Sequence, residues 1–507
     1  MIDAIFAGLF AVLTPQAILF TIIGVVYGII IGILPGLGGI VAMALLLPFT
    51  YGYEVAAMLA LLLSAHIATI WGSSVTGILF GIPGAAKSLA SIFDGYPLTQ
   101  KGQASRALGA SATAALLGGI FGAICLAVSI PVVRPIMLAF GPPEFLMMAL
   151  WGLTIIATFS EGSMLKGLMA AAFGVLIAFS GMDPITGTPR FTFDTVFLLD
   201  GISFPVAMIG LFAVSEMMKL YVKGGSIIDR DISGETSSVL DGVKDAFRHW
   251  GLVMRSSLLG LWIGVLPGIG ASVGGIAAYA QAVQTSKTPE RFGRGAIEGV
   301  IAPDATVGAN EGGGLMPTLA FGIPGGESMA ILLVAFIGMG ITPGPEMLTH
   351  NLDLVFSMVW IVVIANIVTS VFGLAISPWL ARLPSMNPNL MIPMVLSVCF
   401  VGAFATRGQW EDVIVAAGFG IVGFFMDKYH YSRANFVIGM VLADMIERNL
   451  HISLTLHGND FIFTQPIALV MFIFIIVTTA LPFIRNWRKK RAQVDQDASA
   501  RLDGGAS

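Results

Sequence analysis

The stretch Gly32-Ile-Leu-Pro-Gly-Leu-Gly38 is the most informative one in the chain, because a similar stretch, Gly264-Val-Leu-Pro-Gly-Ile-Gly270, follows 232 residues later. A second motif follows each copy, since Phe80-Gly-Ile-Pro-Gly84 recurs as Phe321-Gly-Ile-Pro-Gly325 at an offset of 241 residues. Two motifs in the same order and at similar spacing predict an internal duplication. The chain is therefore expected to contain two homologous halves.

Each of the four motifs places a proline and a glycine inside an apolar run. Proline removes a backbone donor and glycine supplies a flexible joint, so each motif is expected to break or turn a membrane segment. Broken helices leave N-termini that suit anions, and paired breaks in two halves point to the binding site of a secondary transporter. The competing interpretation is that these glycines only allow close helix packing, as we expect for Gly118 and Gly122.

The composition is that of a membrane protein. Of the 507 residues, 56% are hydrophobic and 11% are charged, against about a quarter charged in ordinary globular chains. Four uncharged runs are long enough to cross a bilayer: Ala17 to Leu34, Ala107 to Val133, Leu354 to Ala381 and Phe461 to Ile484. With the shorter runs, the sequence predicts an all-α polytopic membrane protein of roughly 11 to 14 membrane segments, some broken or re-entrant. The net charge of −4 does not indicate a nucleic acid partner.

The basic residues predict the orientation of the chain. They gather in Lys219 to Arg255, in Lys287 to Arg294 and in the tail after Arg485, which the positive-inside rule assigns to the cytoplasm. The acidic stretch Met182 to Asp200 is expected on the opposite side. No cleavable signal peptide is expected, because the first basic residue is Lys87. We divide the chain into a first membrane repeat (1–218), a polar cytoplasmic linker (219–250), a second membrane repeat (251–450), a C-terminal membrane helix (451–484) and a basic cytoplasmic tail (485–507).

Lys87 and Glu327 hold nearly corresponding positions, three and two residues after the Pro-Gly pair of each repeat. A charge at membrane depth costs several kcal/mol unless it is paired or hydrated. Our hypothesis is that Lys87 meets either a substrate carboxylate or Glu327; the alternative is that both side chains solvate a wet mouth. The predicted substrate site comprises Gly36, Gly38, Ser73, Ser74, Pro83, Gly84, Lys87, Ser88, Gly268, Gly270, Asn310, Pro324, Gly325, Glu327 and Ser328.

Three further ionisable residues, His66, Asp304 and Glu311, are candidates for ion coupling. Asp304 and Glu311 flank Asn310 and a run of three glycines, and this set of oxygen ligands would suit a small hard cation such as sodium. The alternatives are that Asp304 caps a helix from a loop and that His66 is a packing histidine. Glu144, which follows Gly-Pro-Pro, is expected to cap the next helix.

Other classes of protein fit the sequence poorly. Gly270-Ala-Ser-Val-Gly274 matches the G-x-S-x-G pattern, but that pattern marks a nucleophile only on the strand-to-helix turn of a hydrolase sheet. The chain has no His-Glu-x-x-His zinc motif. Cys125 and Cys399 lie in apolar runs and are expected to be packing residues. We therefore predict a protein that is not an enzyme and has no cofactor beyond a coupling ion, and we keep a channel or structural subunit as the alternative.

Several motifs together resemble the large membrane subunit of bacterial tripartite tricarboxylate transporters, the TctA type. They are Gly32 to Gly39, Ile82-Pro-Gly84, Asp94-Gly-Tyr-Pro97, Lys101 to Gly109, Asp183-Pro-Ile-Thr-Gly187, Arg190-Phe-Thr-Phe193, Glu298 to Asp304 and Gly322-Ile-Pro-Gly325. The resemblance covers roughly 30 to 450. The sequence departs from the family pattern at Gly84-Ala-Ala-Lys87-Ser88, after Asp304 and at Gly326-Glu327-Ser328, where members commonly carry hydroxyl-rich or asparagine residues.

The resemblance implies a system of three proteins in the bacterial inner membrane and periplasm. The partners would be a small membrane subunit of about four helices and a periplasmic binding protein that delivers an organic carboxylate. Transport would be driven by a gradient of sodium ions or protons, and the chain agrees in having no Walker A motif for ATP. The choice of ion, and of a tricarboxylate, a dicarboxylate or another acid, stays open at this point.

Overall fold

The computed structural model describes residues 1–34, 37–50, 52–81, 84–158, 164–183, 185–223, 237–266, 270–380 and 388–479. Almost all of these residues are helical, and one two-residue hairpin pairs Gly181–Met182 with Pro189–Arg190. The prediction of an all-α protein is confirmed.

The described part of the first half forms ten α-helices. They are α1 (Ile2–Val12), α2 (Pro15–Ile33), α3 (Gly39–Leu46), α4 (Val55–Phe80), α5 (Leu89–Gln100), α6 (Ala104–Leu138), α7 (Pro142–Thr158), α8 (Met164–Ala178), α9 (Phe204–Met208) and α10 (Ser215–Lys223). A π-helical segment, Ile209–Val214, joins α9 to α10, and a 3-10 turn, Ala86–Ser88, precedes α5.

The second half repeats this arrangement of long and short helices. Its helices are α11 (Val239–Arg248), α12 (Trp250–Val265), α13 (Gly270–Thr285), α14 (Glu298–Phe321), α15 (Glu327–Gly338), α16 (Pro345–Thr349), α17 (Leu352–Leu380), α18 (Pro388–Arg407), α19 (Trp410–Lys428), α20 (Arg433–His457), α21 (Phe461–Thr464) and α22 (Pro466–Thr479).

The protein is a multi-pass membrane protein by the length and composition of its helices. Within the described residues, five stretches are long and apolar enough to cross a bilayer: α2, α4, α6, Phe204–Val222 and α17. Shorter apolar helices, such as α3, α12 and α15, accompany them. The apolar stretch of α4 is 94% buried, so α4 lies at the centre of the protein. The apolar stretch of α6 is 33% buried, and side chains such as Val128 and Val132 face the outside.

The helices stop at the repeated motifs, as predicted. In the first half, α2 ends at Ile33 and α3 begins at Gly39, while α4 ends at Phe80. In the second half, α12 ends at Val265 and α14 ends at Phe321. The ends of α4 and α14 are the same in detail: Gly81 and Gly322 both adopt φ of 67° and ψ of 18°, a left-handed conformation that costs glycine least.

Corresponding helices also touch at corresponding positions. Gly28 packs against the backbone of Ala65, and Gly260 packs in the same way against Thr306. These two contacts are related by the same offsets, 232 and 241 residues, as the motifs themselves. The duplication seen in the sequence is therefore matched by a repeated packing of α2 on α4 and of α12 on α14.

The two halves interlock through their central helices. Helix α6 packs along α14, and α17 packs along α4. A side chain at Gly118 would collide with the carbonyl oxygen of Ala305, and a Cβ at Gly122 would lie 2.7 Å from that of Ala309. The prediction that these two glycines allow close helix packing is confirmed.

Two other features differ from the sequence prediction. The polar linker contains an ordered helix, α11, whose capping box joins Ser238 and Asp241, and which packs on α6 through Gly242. The run Phe461 to Ile484 is interrupted at Gln465, between α21 and α22, and the boundary predicted at 450 falls inside α20. Residues 224–236 and the tail 485–507 lie outside the described residues.

Glu144 accepts a hydrogen bond from the amide of Gly141 at 2.8 Å, so its predicted capping role is confirmed.

Candidate functional site

The segment after the first break lies between interrupted helices of both halves. Ala85 lies against the N-terminus of α3, because a Cβ added at Gly38 would be 3.4 Å from the Cβ of Ala85. The carbonyl oxygen of Lys87 lies 3.5 Å from a Cβ built at Gly275, in the second turn of α13. Because helix N-termini carry partial positive charge, this position favours an anionic group.

A buried charge cluster joins the two halves beside this segment. Glu311, on α14, accepts a hydrogen bond from Lys87 Nζ at 2.8 Å, and its second oxygen lies 2.8 Å from His66 Nε2 on α4. The side chains of His66 and Glu311 are 1% and 4% exposed, whereas that of Lys87 is 25% exposed. The lysine is thus the member of the cluster that reaches open space.

His66 Nδ1 faces the start of α3. A Cβ added at Gly39 would collide with this nitrogen, which is buried and has no hydrogen bond in the described structure. The first N–H groups of a helix have no intrahelical acceptor. A lone pair on Nδ1 suits that position, and the proton of the imidazole then lies on Nε2, where it is donated to Glu311.

Asp304 lies two helical turns before Glu311 in a different environment. Its Oδ1 accepts hydrogen bonds from Ser74 Oγ and Ser91 Oγ, both at 2.9 Å. Its Oδ2 is buried without a hydrogen bond of normal geometry, and so is the neighbouring hydroxyl of Ser111. The alternative that Asp304 caps a helix from a loop is wrong, because Asp304 lies inside α14 and is 3% exposed.

Another buried carboxylate, Asp94, connects α5 with the second half. Its Oδ1 accepts hydrogen bonds from the amides of Gly295 and Ala296, at 2.7 and 2.8 Å, just before α14 begins. Its Oδ2 accepts one from the hydroxyl of Tyr279, on α13, at 3.0 Å. Asp94 therefore holds the start of α14 and the body of α13 in place.

The hairpin after α8 forms the rim of a cavity of about 330 Å³. Arg190 pairs with Glu447 and lies over the ring of Phe179, and Asp444 also lines the space. Next to it, the amide of Ile185 and the hydroxyl of Thr186 donate to Asp183 and lower its pKa. The hydrogen-bonded Glu447 raises the pKa of Arg190, so both residues stay charged.

The structure brings together some of the predicted residues and separates others. Lys87, His66 and Glu311 meet, and Ser74 reaches Asp304. The ion partner of Lys87 is Glu311 and not Glu327, which was one of the two partners that our hypothesis allowed. Glu327 is the first residue of α15, at the second break. The sequence predicted Asp304 and Glu311 as one cation site, whereas the structure gives each its own set of partners.

The remaining predicted residues support the backbone around the breaks. Ser73 and Ser88 donate to the nearby carbonyls of Thr69 and Ala85. Gly84 packs against Ser73, and Gly325 packs in the corresponding way against Gly314. Pro324 and Ser328 are buried at the second break, Gly38 and Gly270 lie at the starts of α3 and α13, and Asn310 donates to Gly260 at 3.4 Å. Gly36, Pro83 and Gly268 lie outside the described residues.

Sequence reasoning missed Ser91, Ser111 and Tyr279. Each lies in a helix that carries other polar residues as well, and its partner is more than 180 positions away in the chain. The only available signal was the presence of a hydroxyl at membrane depth, which must find a hydrogen-bond partner inside the protein.

Comparisons with known proteins agree with these observations. Residues 18–438 match the tripartite tricarboxylate transporter TctA family. A relative from Agrobacterium vitis, described as an uncharacterized 52.8 kDa protein in the TAR-I ttuC' 3' region, is 31% identical over 496 residues, which cover 97% of this chain and 98% of the relative. A second protein from Agrobacterium vitis, described as uncharacterized and in the TAR-II ttuC' 3' region, is 29% identical over 237 residues, which cover 46% of this chain and 98% of that protein. No solved structure gives a significant match.

Proposed function

The chain belongs to the tripartite tricarboxylate transporter TctA family, and on that premise we propose that it is the large permease subunit of a secondary transporter that imports an organic carboxylate. The family is one of transporters that work with other subunits. In this proposal an extracytoplasmic binding protein delivers the acid, a small membrane subunit completes the complex in the bacterial inner membrane, and an ion gradient drives uptake.

The observation that carries the proposal is the position of Lys87. Its ammonium lies beside the first break, it is the exposed member of a buried cluster, and the interrupted helices α3 and α13 lie on either side of its segment. A substrate carboxylate can accept hydrogen bonds from this ammonium and from helix N-terminal amides. Glu311 and His66, which are buried, fix the direction of the lysine side chain.

The test is exchange of labelled acid in proteoliposomes that contain this chain and the two companion proteins. Vesicles loaded with an unlabelled carboxylate should take up the same labelled compound, and a panel of mono-, di- and tricarboxylates should define the class. Net uptake at low concentration should require the binding protein. Vesicles that exchange no organic acid with all three proteins present would refute the proposal.

Two variants test the role of Lys87 in this assay. Lys87→Gln should abolish exchange or change its preference among acids, and Lys87→Arg should retain part of the activity because the charge is kept. Lys166→Gln is the matched control, because the Lys166 amine is exposed and donates to the carbonyl of Tyr429, away from the site. Unchanged exchange by folded Lys87→Gln would remove Lys87 from the substrate site.

A further inference from the structure

Two carboxylates lie buried on α14, and only one of them has a cationic partner in the described structure. Glu311 is paired with Lys87 and receives a hydrogen bond from His66. Among the described residues, the hydrogen-bonding side chains at Asp304 are the hydroxyls of Ser74, Ser91 and Ser111. An ionised carboxylate without a partner is unstable in a protein interior, because its hydration energy is lost and nothing replaces it.

The hydrogen bonds around Asp304 distinguish its two oxygens. Oδ1 accepts two hydrogen bonds, as a carbonyl oxygen does, while Oδ2 and Ser111 Oγ are left without partners. A proton on Oδ2, donated to Ser111 Oγ, would satisfy both orphan atoms at once. No other change in the surroundings is needed.

A proton also fits the space better than a metal ion. Ser74 and Ser91 lie at hydrogen-bond distance, 2.9 Å, from Oδ1. A metal cation would need several oxygens that direct lone pairs at it, whereas both hydroxyls here are hydrogen-bonded to the carboxylate.

Several charged and titratable groups on neighbouring elements contact other partners, and Arg134 of α6 lies near the C-terminal end of that helix. His66 and Lys87 contact Glu311, which lies seven residues and about 10 Å along the helix from Asp304. Asp94 binds Tyr279 and the start of α14, Arg106 of α6 pairs with Asp245, and Arg255 of α12 donates to Thr285. The elements at the far end of α14 carry Glu327, Glu346, His350 and Asp353. Glu298, at the start of α14, pairs with Arg291 and His249.

We propose that Asp304 is the proton-carrying group of this transporter: its carboxylic acid, held by Ser74, Ser91 and Ser111, takes up one proton from the outside and releases it to the inside in each cycle. Lys87 fills the cation position on Glu311, so that carboxylate carries no coupling ion. The inference rests on the proposed function and specifies its driving ion as H⁺ rather than Na⁺.

The experiment compares exchange with accumulation for Asp304→Asn, whose amide cannot release a proton. In wild-type vesicles with one H⁺ coupled per acid, a gradient of one pH unit should sustain about a tenfold accumulation, since a tenfold ratio corresponds to 1.4 kcal/mol. The variant should still exchange labelled acid at equal pH on both sides but should accumulate none. Glu311→Gln is the comparison for loss of a neighbouring carboxylate.

Three results would overturn the inference. They are accumulation by wild-type vesicles that follows a sodium gradient and not a pH gradient, accumulation by Asp304→Asn, and loss of exchange as well as accumulation in a variant that is folded. Wild-type vesicles that exchange no acid would instead refute the proposed function.

An infrared measurement tests the protonation of Asp304 without any transport. The spectrum at neutral pH should contain the C=O stretching band of a buried protonated carboxylic acid, and this band should be absent in Asp304→Asn and present in Glu311→Gln. A spectrum in which Asp304→Asn leaves the band unchanged would overturn the assignment, whether or not the vesicles transport.

Discussion

Removing the two charges of the Lys87–Glu311 pair should have unequal effects on stability. Lys87→Gln leaves the Glu311 carboxylate, which is 4% exposed, without its cation. Glu311→Gln leaves the Lys87 ammonium, which is 25% exposed, without its anion. Loss of one partner of a buried pair costs about 3–5 kcal/mol when the remaining charge cannot reach water. That description fits the carboxylate and not the lysine.

The lysine can turn its ammonium towards water on its flexible stem. Glu311→Gln should therefore cost only about 1–3 kcal/mol, the range for unsatisfied hydrogen bonds. The double variant removes both charges and should be more stable than Lys87→Gln alone. The wild type should thus be the most stable protein and Lys87→Gln the least stable. Glu311→Gln and the double variant should lie between them.

The free energy of unfolding can be measured by titrating the purified protein in mild detergent with a denaturing detergent and following its helix content. Lys287→Gln serves as the control and should change stability by less than about 0.5 kcal/mol, because Lys287 is exposed. Equal losses of unfolding free energy for Lys87→Gln and Glu311→Gln would contradict the inference that the buried carboxylate depends on its partner more than the lysine does. A double variant less stable than Lys87→Gln would do the same.

Three other predictions concern regions away from this pair. Asp94→Asn should lower stability by about 1.5–3 kcal/mol, because charge-assisted bonds to Gly295, Ala296 and Tyr279 are weakened; the same titration, with the smaller loss of Tyr279→Phe for comparison, checks it. Gly118→Leu should prevent α6 from packing on α14, so that size-exclusion chromatography shows aggregated protein, and a monodisperse variant would contradict the packing. The pKa of Asp183 is lowered in the folded state, so its contribution to the hairpin is present at neutral pH and is lost as the pH falls below about 4 through that lowered pKa. The protection of the Ile185 amide, which is its exchange rate relative to the intrinsic rate at the same pH, should fall in this range in the wild type but not in Asp183→Asn.

The breaks and the duplication could be predicted because they are local properties of the chain. Proline and glycine end a helix through their own backbone geometry, and the paired Gly81 and Gly322 show the same left-handed ending. The predicted packing roles of Gly118 and Gly122 were correct for a related reason, because a missing side chain allows close approach wherever the helix lies.

The sites could be predicted only in part. Because burying a charge at membrane depth is costly, Lys87, His66, Asp304 and Glu311 were predicted to be functional candidates. It could not supply the partners, because Lys87 and Glu311 are separated by 224 positions and His66 and Glu311 by 245. For the same reason Glu327, which shares the repeat position of Lys87, was a plausible partner in the sequence and is not the observed one.

From the sequence alone it follows that this chain is a duplicated, all-helical membrane protein with interrupted helices. The length of an apolar run sets whether a helix can cross the bilayer, and proline and glycine change the backbone only at neighbouring residues. The tertiary structure decided that Glu311 is neutralised by Lys87 while Asp304 is surrounded by serines. That difference depends on which faces of α4, α5, α6 and α14 meet, and the meeting of faces is set by packing between distant parts of the chain.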